Sequence, residues 1–66
     1  MTRNYLSGSI KKALSIIECV GKSTRPLKAS EVANFTKLER ATAFRILTYL
    51  TSLGYLFKDK NSNLYS

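Results

Sequence analysis

The stretch over residues 38–55, LERATAFRILTYLTSLGY, constrains this chain more than any other. At about 100° per residue, Ala43, Ile46, Leu47, Leu50 and Leu53 share one face, the spacing of an amphipathic helix. Ala41, Arg45, Thr48 and Ser52 share the opposite face. Thr42 and Tyr49 flank that polar stripe on one side, Arg40 and Phe44 on the other. Gly54 then stops the helix, because glycine takes a left-handed conformation without steric cost. An outward stripe of arginine, threonine and serine with few acids suits contact with phosphates and base edges.

The charge supports an anionic partner. Eleven Lys and Arg against four Asp and Glu give a net charge of +7 in 66 residues. The basic residues are spread from Arg3 to Lys60 rather than gathered in a tail, which suits a folded surface that meets a polyanion at several points. So short a chain makes one domain and buries only about 60% of its unfolded surface, so its core is small. Cys19 is the one cysteine and there is no histidine, so no internal disulfide or clustered metal site is expected. No cofactor is expected. The four acids are scattered and no Gly-rich phosphate loop appears, so the chain is not expected to be an enzyme. No signal peptide or membrane span is apparent, and a cytoplasmic location is expected.

In chain order, residues 1–8 read as a flexible N-terminal arm and 9–66 as one domain. A first helix is predicted over residues 10–20, capped by Ser7 or Ser9 and ended by Gly21, with Ile10, Ala13, Leu14, Ile17 and Val20 as its buried stripe. Ile16, Cys19 and Lys12 then fall on its other side, where Ile16 would be an isolated exposed residue or part of a dimer contact. Residues 21–26, GKSTRP, read as a loop. Leu27, Lys28 and Ala29 read as a short extended stretch able to pair with the end of the chain. Ser30 is the predicted N-cap of a second helix over 31–36, with Val32, Ala33 and Thr36 facing inward. A turn over 36–38 leads into the third helix from about Glu39. Two strand-like runs around the polar turn 59–62 make a β-hairpin. The order is helix, short strand, helix, helix, hairpin. The fold class is therefore mainly α with a small β-hairpin: a winged helix-turn-helix of three helices plus wing.

That order, with these residues, resembles the N-terminal DNA-binding domain of IclR-type (isocitrate lyase regulator) transcriptional regulators. The resemblance runs from Ser9 to Tyr65. It is carried by Ser9-Ile10-x-Lys12-Ala13-Leu14-x-Ile16-Ile17, by Leu27-x-Ala29-Ser30-Glu31-Val32-Ala33, and by Thr36-x-Leu38. It continues in Thr42-x-x-Arg45-Ile46-Leu47-x-x-Leu50-x-x-Leu53-Gly54-Tyr55. Three positions depart from the family. Lys37 stands where glycine is usual, and positive φ there would cost a non-glycine residue of order 1 kcal/mol. Either Lys37 takes that conformation or the turn differs. Glu39 stands for proline and Ala41 for serine. Family members carry a longer C-terminal domain that senses a small molecule and assembles the oligomer. The chain ends just after Tyr65, so that domain is expected to be absent, and an excised reader domain is favoured over a short natural protein.

The function expected is sequence-specific binding of double-stranded DNA by a regulator, as a homodimer on a two-part site, in a bacterial or archaeal nucleoid. The third helix, about 39–53, would enter the major groove, with the wing over 58–63 on the flanking backbone or minor groove. The predicted DNA-binding residues are Arg40, Ala41, Thr42, Phe44, Arg45 and Thr48 of the third helix, with Ser30 and Lys37 before it. Lys58, Lys60, Asn61 and Asn63 join them at the wing tip. Arg45 offers a planar fork of donors suited to guanine or phosphate, unless it is solvated or paired with Glu39 or Glu31. Phe44 would touch thymine methyls or pack on the second helix, against Lys37 or Val32. Tyr65 reads as a core or hairpin residue. A winged-helix protein-interaction module is the alternative, kept open by Phe44 and Tyr49; RNA binding lacks a stacking platform.

Overall fold

Helices need an apolar partner to bury, and three here bury one another. A computed structural model describes residues 8–66, in which α1 (Gly8–Lys22), α2 (Ala29–Thr36) and α3 (Arg40–Ser52) follow in order. The N-terminal arm, with the Ser7 cap, lies outside the described residues, save Gly8, which is helical. Ile16 and Val20 of α1, Val32 and Ala33 of α2, and Ala43, Leu47 and Leu50 of α3 form the core, closed by Leu27 and Tyr65.

The chain after α3 folds back as the wing. Tyr65 pairs antiparallel with Lys58 on one side and with Leu27 on the other. Leu27 and Tyr65 exchange both backbone bonds, at 2.9 and 2.7 Å, and Phe57 and Ser66 exchange two more at 2.9 Å. The β-structure is thus three chains wide but one residue long on its inner edge. The extended stretch expected over 27–29 shrinks to Leu27, because Lys28 already caps α2. The fold is a winged helix-turn-helix.

Four expectations are corrected. The first helix runs from Gly8 to Lys22, so Ser9 lies inside its first turn and Gly21 does not end it. Its buried face is rotated: Ile16 is fully buried and Cys19 and Ile17 pack on the core, whereas Ile10 and Leu14 are 48% and 47% exposed. Apolar residues run more than halfway round this helix, so the period was legible but the phase was set by where α2 and α3 lie. Ser30 is not the cap of α2. Lys28 occupies that position with extended backbone, and its N–H donates to the Glu31 carboxylate at 2.9 Å. Leu53, placed on the buried face of α3, is 52% exposed, because it caps the helix end beyond the last core turn.

The turns that end α2 and α3 use the same geometry. After α3, Gly54 at φ 89° donates to Thr51 and Tyr55 donates to Leu50, at 3.0 and 2.9 Å. After α2, Lys37 at φ 60° donates to Asn34 and Leu38 donates to Ala33, at 3.3 and 3.0 Å. These paired bonds satisfy carbonyls that a helix end leaves open. Lys37 therefore takes the left-handed conformation that glycine would take without cost.

Lys37→Gly is expected to stabilise the domain by about 0.5–1 kcal/mol, and Gly54→Ala to destabilise it by about 1 kcal/mol. The urea midpoints should move in opposite directions. No atom lies within 4 Å of a Cβ built on Gly54, so the second effect is conformational rather than steric.

Candidate nucleic-acid interface

The outward face of α3 follows from its inward one. With Ala43, Leu47 and Leu50 buried, Arg40, Ala41, Phe44, Arg45, Thr48 and Tyr49 are exposed and Thr42 is half-buried. Phe44, Arg45, Thr48, Tyr49 and Ser52 line one shallow surface depression. The Ser52 and Thr51 hydroxyls are committed to the Tyr49 and Leu47 carbonyls, at 2.7 and 2.8 Å. Glu39 caps the start of α3 with no side-chain bond, so the first N–H groups are left for an outside acceptor.

A second concavity joins elements that are distant in sequence. Lys28, Ala29 and Ser30 at the start of α2, Phe44 of α3, and Lys58, Ser62, Asn63 and Tyr65 of the wing line a cleft of about 440 Å³. Four of the predicted site residues, Ser30, Phe44, Lys58 and Asn63, meet there. Lys37, Arg40 and Ala41 stand apart from it on the turn and the first turn of α3, and Lys60 and Asn61 on the wing tip.

Lys58 is not at the tip. It sits in the bridge opposite Tyr65, half-buried, with its ammonium 5.9 Å from the Phe44 ring centre and 5.6 Å from that of Tyr65. A cation over an aromatic face is attracted by the ring quadrupole, which holds the wing toward α3. Phe44 remains 51% exposed beneath it. The true tip is built on Asp59, whose carboxylate accepts the N–H and the hydroxyl of Ser62, both at 2.8 Å. These bonds hold the Asp59 carboxyl below its usual range. Asn63 closes the turn at φ 60°, donating to the Asp59 carbonyl at 2.8 Å. Asparagine tolerates that conformation better than most residues. Lys60 and Asn61 are left exposed at the apex.

Arg25 and Glu31 form the one ion pair among the described residues, with the guanidinium fork on both carboxylate oxygens at 3.2 and 2.8 Å. Glu31 is therefore not a partner of Arg45. The Arg25 guanidinium, with the Lys28 N–H, pulls the Glu31 carboxyl down to about 2. Residues that sequence reasoning passed over are Lys28 and Ser62, which line the cleft. Glu31 itself was the available signal for Lys28: an acid three residues after a cap reaches back to the cap N–H.

A short turn between two packed helices, an exposed arginine-bearing face on the second, and a basic wing beside it define a winged helix-turn-helix domain that binds DNA. The chain belongs to the IclR family: the model for the IclR helix-turn-helix domain matches residues 9–60. The chain is similar to an IclR family transcriptional regulator from Brucella abortus known from a crystal structure, with a TM-score of 0.87 and 28% identity. That match covers 97% of this chain and 24% of the regulator, so the chain spans less than two thirds of that protein. No curated protein matches the chain significantly.

The pulled-down Glu31 carboxyl makes a pH prediction. Its folded value, about 2, lies below its ordinary 4.5. The stability it lends is thus present above 4.5 and lost as pH falls from there toward 2. Glu31→Gln should lower the urea midpoint at pH 6 and flatten that acid limb, with the gap to the parent closing near pH 2. The effect should shrink at high salt, since the pair is exposed.

Proposed function

We propose that this domain reads double-stranded DNA with α3 in the major groove, while the wing lies on the flanking backbone or in the minor groove. The observation that carries the reading is the shared exposure of Arg45 and Thr48 on α3, flanked by a cleft that joins α2, Phe44 and the basic wing. Phosphate contacts fix register and base-edge contacts give sequence. Arg45 is in no ion pair among the described residues, so its guanidinium is available to guanine O6 and N7. Arg40 and Lys37 suit phosphate, as do Ser30 and Lys58 across the cleft. Phe44 and Thr42 offer apolar surface to thymine methyls, and Ala41 allows close approach. Lys60, Asn61 and Asn63 suit the groove beside the wing.

A regulator of this kind would work as a homodimer on two half-sites about one helical turn, or a multiple of it, apart. It would act in the cytoplasm, on the nucleoid. No helix among the described residues is long and apolar enough to cross a membrane. The competing reading, a protein-docking winged helix, draws on the exposed rings of Phe35, Tyr55 and Phe57.

Fluorescence anisotropy on selected and random duplexes at several salt concentrations separates these readings. Arg45→Ala should weaken binding to a selected site by about 1–3 kcal/mol and leave random duplex less affected. Lys60→Ala should weaken both alike and reduce the salt slope by about one. Salt-independent or absent duplex binding would favour protein docking instead.

A further inference from the structure

Between α1 and α3 lies a groove of about 470 Å³ that shares Thr42, Arg45 and Tyr49 with the outward face of α3 and no residue with the wing cleft. Ile10 and Ala13 of α1 and Ile46 and Tyr49 of α3 supply its apolar walls, and Lys12 and Arg45 also line it. No acid does. α1 turns Ile16 and Val20 into the core, which leaves Ile10 48% exposed, and Tyr49 on the outward side of α3 is 63% exposed. Its volume falls within the roughly 300–1,000 Å³ of sites for small organic molecules, which are mostly apolar with a few polar groups that orient the ligand.

The lining selects the occupant. Apolar walls exclude a bare inorganic anion, and two cations without an acid disfavour a neutral or cationic ligand. Neither Lys12 nor Arg45 is held in an ion pair among the described residues. An α-helix about 10 Å across would present more apolar surface than four side chains cover.

We propose that this groove binds a small amphiphilic organic acid. Its apolar body lies between Ile10, Ala13, Ile46 and Tyr49, and its carboxylate accepts hydrogen bonds from Arg45 and Lys12. A guanidinium engaged by a carboxylate is withdrawn from guanine. The acid therefore antagonises DNA binding, and this second half rests on the reading of Arg45 given above.

The test uses 1-naphthoate on the DNA-free chain, followed by two-dimensional NMR, with acetate and 1-naphthalenemethanol as controls. Naphthoate should produce saturable shifts at the groove residues. Lys12→Gln should weaken it several-fold and Lys12→Gln with Arg45→Gln at least tenfold. The alcohol should bind at least threefold more weakly, and acetate should not saturate there. Ala13→Phe should abolish the shifts by filling the groove, with helical circular dichroism confirming the fold. Shifts spread over the whole basic surface, equal effects from acetate, or indifference to Lys12→Gln would overturn the site. Bound naphthoate should weaken duplex affinity at least fivefold; groove saturation with unchanged duplex affinity would overturn the antagonism. Absent duplex binding without naphthoate would instead sink the reading of α3, and the DNA-free titration separates the two.

Discussion

Tyr65 is the residue on which the arrangement depends. Its side chain is the largest of the fully buried ones, and its backbone pairs with Leu27 before the helix-turn-helix and with Lys58 after it. One residue therefore fills the core and fixes the wing to it. Ring burial alone supplies on the order of 2 kcal/mol of apolar stabilisation, a large share for a domain with so small a core. The hydroxyl is buried with no hydrogen-bond partner among the described residues, so the ring carries the benefit and the oxygen costs some of it. If Tyr65 did not sit there, Lys58 would have no position opposite α2, and the cleft between Ser30, Phe44 and Asn63 would not form.

The second constraint is the turn between α2 and α3. Three residues must reverse the chain while leaving few open carbonyls, and a left-handed residue does this whatever its side chain. This chain uses Lys37, at φ 60°. A lysine there adds a cation beside α3 at the cost of backbone strain. Gly54 performs the same task at the other end of α3, where no charge is needed.

Electrostatics follows from where the acids are spent. Glu31 is held by Arg25 and the start of α2, and Asp59 by the Ser62 groups that shape the wing tip. Each of these two carboxylates serves a local turn or cap. The cations on α3 and the wing apex are left facing outward, Arg40, Arg45 and Lys60 among them. Net charge alone did not say this: four acids can match at most four of the eleven cations, but the total does not say which cations are left facing outward.

By itself the sequence determined the third helix, its outward stripe and both of its ends, because a 3.6-residue period, a glycine and a short turn are local signals. It determined the order of elements and the basic hairpin for the same reason. Only the tertiary structure decided the phase of α1, where apolar residues occupy too much of the circumference for the pattern to choose a face. That Lys28 rather than Ser30 caps α2 had a local signal in Glu31, three residues on, and the bridge at Leu27 reinforces where the helix begins. Lys58 was drawn from the tip into the bridge by the register of the hairpin, which depends on Tyr65 entering the core. Pairings between residues far apart in the chain are fixed by shared burial, and no local pattern encodes them.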